Sequence, residues 1–231
     1  MTALILQGRL DSSRLPGKSL LPLGGAPLIL RVMEAFSSSP SPSQGWDTKI
    51  LACPLSCIPS FAPLAEKAGF LIVGGSEDDV LSRYCLAARQ AGADRIIRAT
   101  GDNPFVFVDA ALAIHQEGMD LGADYAGYSG LPHGAGVEAL KTEALFKAER
   151  EAQDPYEREH VSPYLYRNPE QFLLHRPAAP KKWQAPDLRI TVDTQEDLAW
   201  ANLLYGELDK SEAPERNRSE TLISIARNLH G

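Results

Sequence analysis

The first half of the chain alternates short apolar runs with segments of helical spacing, and that rhythm restricts the fold more than any other feature. Apolar runs recur at Ala3–Leu6, Lys49–Cys53, Phe70–Val73 and Arg95–Ala99. Each has strand length and reads as a buried strand. Between them, Leu28–Phe36, Phe61–Ala68 and Asp78–Gln90 carry helical spacing. The last is led by Ser76 with Asp79 three residues on, a capping-box signal. This alternation is the pattern of a mostly parallel α/β sheet covered by helices on both faces.

The second half is less regular. A Gly- and Pro-containing loop (Gly127–Gly136) leads to a strand at Val137–Leu140, a helix from Thr142 to about Ala152 and a second from Tyr156 toward Tyr166. Phe172–His175 and Arg189–Val192 read as strands. Gln195–Leu208 reads as an amphipathic helix with Leu198, Ala201, Tyr205 and Leu208 along one face. Ser37–Gln44 and Pro177–Pro186 read as surface loops. No repeat or linker divides the chain, and 231 residues with 44% hydrophobic content suit one domain with a buried core.

Charge narrows the function classes. The chain carries a net charge of −7, which argues against a protein that coats nucleic acid. The charge is uneven. Before Trp46, Arg9, Arg14, Lys18 and Arg31 outnumber Asp11 and Glu34, and the remainder is strongly acidic. No apolar stretch reaches membrane-span length, and Met1–Gly8 has no signal-peptide pattern, so a cytoplasmic protein is expected. Cys53, Cys57 and Cys85 form no CxxC pair and are expected to be reduced and buried.

The basic charge sits in Leu6–Lys18, directly after the first expected strand. In open parallel sheets the carboxyl ends of strands are where ligands bind. Gly8 and Gly17 permit close backbone approach, and Arg14 and Lys18 supply charge-assisted hydrogen bonds to an anion. The Gly17-Lys18-Ser19 ending looks like a Walker A loop. However, Ser12 stands where that motif needs glycine, and Pro22 with Gly24-Gly25 breaks the helix that should follow. A solvated basic loop without a ligand is the bland alternative.

This stretch, Gln7–Lys18 followed by Leu23-Gly24-Gly25-Ala26-Pro27-Leu28, resembles the start of the spore-coat-polysaccharide cytidylyltransferases, relatives of the CMP-KDO and CMP-sialate synthetases. Four later stretches are similar in the same order: Gly75–Tyr84, Arg98–Pro104, Asp154–Tyr164 and Thr191–Leu198. The resemblance implies a GT-A (Rossmann-like) nucleotide-diphospho-sugar-transferase fold and transfer of CMP from CTP to an acceptor oxygen with release of pyrophosphate. It also implies Mg²⁺ and a homodimer. The chain departs from the family at Gly134-Ala135-Gly136-Val137-Glu138, where Gly136 replaces the family's aspartate.

On that resemblance, Asp102 and Asp193 are expected to hold the metal through hard oxygen ligands. The bland roles are a turn before Pro104 for Asp102 and a helix cap near Gln195 for Asp193. Arg14 and Lys18 are assigned to the β- and γ-phosphates. Arg14, Lys18 and Asp102 are the catalytic set. Gln7, Gly8, Arg9, Ala52, Ser76, Arg98 and Gly101 are expected on the nucleotide. Cys53 and Arg83 are also placed near the base, against core packing and a surface ion pair as ordinary roles.

Residues 127–186 form the expected acceptor and dimerisation subregion of the single 1–231 domain. Arg158, Glu159 and His160 are expected to bind the acceptor or, for His160, to deprotonate it, with Tyr164 following them. A salt-bridge network at a dimer interface fits the same residues equally well. Glu138 and His133 are further acceptor candidates, while His115, His175 and His230 show no partner pattern. Rival readings are a guanylyl- or uridylyltransferase, a GT-A glycosyltransferase and a non-catalytic nucleotide-binding protein. The expected partners are therefore CTP and a small-molecule acceptor, with neither nucleic acid nor membrane.

Overall fold

The computed structural model describes residues 1–37, 45–210 and 218–230. The expected loop at Ser37–Gln44 lies outside these except for Ser37, which ends a helix. Four strands form the parallel heart of a seven-stranded sheet: β1 (Thr2–Gln7), β4 (Thr48–Pro54), β5 (Leu71–Gly75) and β6 (Arg95–Thr100). The order is β5-β4-β1-β6, continued by β8 (Glu138–Lys141), β7 (Tyr125–Ala126) and β9 (Leu174–His175). β8 is antiparallel to both β6 and β7, and β9 runs parallel to β7. A small hairpin, β2 (Pro22–Leu23) with β3 (Ala26–Pro27), lies outside the sheet.

Strand alternation builds one core on each face. Leu4, Leu6, Leu51, Cys53, Ile97 and Ala99 point to one side. There they meet α1 (Leu28–Ser37), α2 (Ile58–Ala68), α4 (Val108–Asp120), α8 (Gln195–Lys210) and α9 (Arg218–His230). Ala3, Ile5, Ile50, Ala52 and Ile96 point to the other, against α3 (Val80–Ala91), α5 (Thr142–Glu151) and α7 (Pro163–Arg167). A strand buried on both faces reads as a continuous apolar run, which is why the inner strands were legible.

Several elements differ from expectation. Arg189–Val192 is not a strand; Arg189 forms an isolated bridge with His133, outside the sheet. Pro177–Pro186 is no surface loop, because Ala179, Trp183 and Ala185 are buried and Ala179 N donates to Ser129 O. The helix begun at Tyr156 is broken in two, α6 (Pro155–His160) and α7, by Val161 at φ 72° and ψ −60°. Ser162 N donates to His160 O, closing a γ-turn of the rare strained hand. The third helix starts at Val80, with Asp79 as its cap and Ser76 bonded to Asp79 N. All three cysteines are free and buried, and burial pushes the Cys53 thiol up to about 12.

Candidate active site

The strand order reverses about β1, which has β4 on one side and β6 on the other. The loops after β1 and β6 therefore leave the sheet's carboxyl edge side by side. Gly101 N donates to Gln7 O at 2.8 Å and ties the two together, while Gly8 N donates to Ala52 O at 3.2 Å and ties the first loop to β4. Neither glycine tolerates a Cβ easily. At Gly8 it would overlap Cδ1 of Ile29, and at Gly101 it would sit 2.8 Å from Gln7 O. Their role is close approach of backbone.

Lys18 stands at the centre of the edge. Its ammonium donates to Asp102 Oδ2 at 3.0 Å, Asp193 Oδ1 at 2.9 Å and Val192 O at 3.0 Å, which uses all three of its protons. Arg14 reaches the same Asp193 Oδ1 at 2.8 Å, and its side chain is 62% exposed. Arg189, which the sequence reading missed, donates to Asp193 Oδ2 at 2.5 Å and lies 3.6 Å from Asp197. Burial raises the Asp193 pKa, but Lys18, Arg189 and Arg14 outweigh it and hold the carboxyl below its ordinary value.

Asp193 does not cap α8, and Asp102 lies in the turn after β6 without using its carboxylate there. Thr194 and Asp197 form the capping box of α8: Thr194 Oγ1 accepts from Asp197 N, and Asp197 Oδ2 accepts from Asp193 N and Thr194 N. That Thr-x-x-Asp spacing was readable in the sequence. The turn after β6 is closed by Asn103, whose side chain donates to Thr100 Oγ1. Asp102 contributes its carbonyl to Val192 N at 2.9 Å, which seats the Asp193 segment beside it. Both carboxylates are thus left to meet the cations.

Other expected site residues lie elsewhere. Arg98 is no exposed nucleotide contact. It pairs with Glu138 at 2.7 Å and bonds Gln7 Oε1 at 3.2 Å, largely buried on the α3 face. Glu138 is likewise enclosed, accepting from Ser162 Oγ at 2.6 Å and Tyr125 OH at 3.0 Å. Ala52 is fully buried with its carbonyl taken by Gly8. Arg83 makes no surface ion pair. It is 1% exposed and donates to Ser76 O at 2.5 Å, beneath the loop that carries exposed Ser76.

On the acceptor side, Arg158 is taken up by Asp79 and by Glu149 O at 2.6 Å, stapling α6 to the start of α3. Exposed Glu159 lies 3.8 Å from Arg9, which brings α6 to the basic loop. The exposed His160 ring packs on Tyr156, and Tyr164 bonds Glu151. His133 and Gly136 are exposed, and a Cβ on Gly136 would come 3.3 Å from Leu131. Of the remaining histidines, His115 is buried against Thr2 and His175 pairs with Glu117 at 2.8 Å, a partner its sequence did not show.

The comparisons agree with this geometry. A family model described as cytidylyltransferase matches residues 3–221. The chain belongs to the cytidylyltransferase family. It is 31% identical to the spore coat polysaccharide biosynthesis protein SpsF of Bacillus subtilis, over 97% of this chain and 93% of that protein. An uncharacterised protein of Methanocaldococcus jannaschii is 31% identical over 89% of this chain and 82% of its own. Among solved structures, a cytidylyltransferase from Leptospira borgpetersenii has a TM-score of 0.87 at 23% identity, covering 99% of this chain and 94% of that one. A CMP:2-keto-3-deoxy-manno-octonic acid synthetase complexed with CTP scores 0.68 at 17% identity, covering 89% and 98%. These structural likenesses establish the nucleotide-sugar-transferase, Rossmann-like fold. Among the described residues no helix is long and apolar enough to cross a membrane.

Proposed function

We propose that this cytidylyltransferase moves CMP from CTP to an acceptor oxygen on a sugar acid, a sugar or a phosphate- or phosphonate-bearing small molecule, releasing pyrophosphate. The observation that carries the reading is the convergence of Lys18 and Arg14 with Asp102 and Asp193 at the sheet's carboxyl edge. The polysaccharide role in the name of the Bacillus subtilis relative supports a carbohydrate acceptor.

The acceptor oxygen attacks the α-phosphorus, its bond forms as the bond to the β-phosphate oxygen breaks, and pyrophosphate departs. Arg14 and Lys18 bind the β- and γ-phosphates and offset the charge growing there, since nucleotidyl transfer depends chiefly on positioning and electrostatic stabilisation. Engaging phosphate requires Lys18 to exchange at least one present acceptor, because its three protons are already committed. Gln7, Gly8 and Gly101 line the nucleotide's approach at the strand ends.

The donor set suits Mg²⁺. Asp102 and Asp193 place two hard oxygens within 3.0 Å of one cationic centre. No group of three or more metal-ligating side chains occurs among the described residues. Mg²⁺ is commonly held by one or two carboxylates together with the substrate's own phosphates. Asp102 and Asp193 would hold it, and when bound it would neutralise phosphate charge and orient the oxygens for in-line attack. A cytoplasmic homodimer completes the proposal.

Thermal shift against the four nucleoside triphosphates with Mg²⁺, followed by pyrophosphate release over a panel of acceptors, tests the reading. A ligand at 100 times its dissociation constant adds about 2.7 kcal/mol of stability, so CTP should stand out. A protein stabilised by GTP or UTP instead, or one that transfers a sugar without releasing pyrophosphate, overturns it.

A further inference from the structure

The largely buried Arg98–Glu138 pair lies on the α3 face of the sheet and reaches Gln7 at the end of β1. Arg98 faces Glu138 directly across the β6/β8 pairing. Three donors fix the Glu138 carboxylate: Arg98, Tyr125 and Ser162, the last delivered by the γ-turn at Val161. A carboxylate held this way orients the guanidinium, whose Nη2 then meets the side chain of Gln7. A guanidinium can only donate, so Gln7 must turn its carbonyl oxygen to Arg98. Its amide NH₂ is thereby directed away from Arg98, and among the described residues no hydrogen-bond partner for it is found. Gln7 is half-buried and closes β1 beside Gly8.

The geometry points to Gln7 as a specificity-determining donor to the nucleotide and to Arg98 as the positioning residue that sets the polarity of its amide. Resting on the nucleotidyl-transfer reading above, this assigns to the site a fixed N–H donor for an acceptor atom of CTP. Arg98 itself touches no substrate. Without the Glu138–Arg98 relay the amide could rotate and present its oxygen, which repels the same acceptor atom.

Gln7→Glu tests the assignment, because a carboxylate keeps the bond to Arg98 but has no N–H to offer. The expected result is a melting temperature at or above that of wild type, with KM for CTP raised tenfold or more and a weaker CTP-induced thermal shift. Gln7→Met, which loses both functions, should raise KM no more than Gln7→Glu does. Arg98→Lys should raise KM for CTP in the wild-type background and leave it unchanged in Gln7→Ala. Unchanged KM in Gln7→Glu overturns the donor role. An equal effect of Arg98→Lys in both backgrounds overturns the positioning role. If wild-type protein neither binds CTP nor releases pyrophosphate, the nucleotidyl-transfer reading falls and this one with it; turnover in wild type together with a normal Gln7→Glu enzyme sinks this inference alone.

Discussion

Asp102 and Asp193 come from loops far apart in sequence, yet both carboxylates rest on the ammonium of Lys18, at 3.0 and 2.9 Å. Like charges this close require a cation between them. The chain supplies one from the basic loop and two more, Arg14 and Arg189, on the outer side of Asp193. The loop pairs with the same two acids that the family resemblance assigns to the metal, so two of its cations are spent on acids from the acidic remainder of the chain.

Removing the central cation should therefore damage activity more than folding. Lys18→Met is expected to lower CTP-dependent pyrophosphate release by about 10²- to 10³-fold, the loss typical of deleting one preorganised electrostatic group. Arg14 and Arg189 remain to neutralise Asp193, so a melting transition should persist. Steady-state pyrophosphate assays beside a thermal melt check both halves, and turnover within a few-fold of wild type would refute the role.

The glycines that open the two loops make a packing prediction. Gly101→Ala would press Cβ onto backbone, Gln7 O at 2.8 Å, whereas Gly8→Ala would press only on the far end of Ile29. Overpacking costs about 1–3 kcal/mol, and Gly101→Ala should show the larger loss. Ile29→Val deletes the Cδ1 that a residue-8 Cβ would overlap. Alone it should cost about 0.5–1.5 kcal/mol, but in Gly8→Ala it should restore stability. Urea titration of the four proteins in the Gly8/Ile29 cycle measures the coupling.

The central sheet was legible in the sequence because a strand buried on both faces leaves a continuous apolar run. β7 has two residues and leaves no such trace, whereas β9, equally short, falls within the strand expected at Phe172–His175. Arg189–Val192 has a strand's composition, but its backbone is spent on His133 and Asp102 rather than on a ladder. Motif order singled out Lys18, Asp102 and Asp193 from distant stretches, and the structure brings these three side chains together. Arg98 and Arg158 were misplaced because a sequence shows charge but not the partner that consumes it: Glu138 in one case, Asp79 in the other. Ser162 was missed because its importance depends on the strained turn at Val161.

That correction for Arg158 can be tested. Its guanidinium bonds Asp79 through two nitrogens and the carbonyl of Glu149 through a third, so its loss should loosen α6 from α3 rather than weaken an acceptor contact. Arg158→Ala is expected to cost about 1–3 kcal/mol, as for other lost charge-assisted hydrogen bonds. Arg158→Lys cannot reproduce the fork and should recover only part. Denaturation midpoints with KM for the acceptor separate the two roles: a large KM change at unaltered stability would return Arg158 to the binding site.

His115 predicts a specific acid sensitivity. On α4 it is 2% exposed, with Nε2 at 3.3 Å from Thr2 Oγ1 and Nδ1 without a partner among the described residues. Burial, aided by Arg95, lowers its pKa to about 4 from an ordinary value of 6.5. Above pH 6.5 the ring is neutral whether the chain is folded or not, and it contributes no pH dependence. As pH falls from 6.5 toward 4, the unfolded chain takes up a proton that the folded protein refuses, so stability is lost across that window. The loss reaches about 3 kcal/mol at most, since each unit of pKa difference is worth about 1.4 kcal/mol. His115→Gln keeps a polar group for Thr2 but cannot titrate. Urea midpoints measured from pH 7 to pH 4 should fall less steeply in His115→Gln than in wild type, and parallel profiles would show that His115 does not titrate in this window.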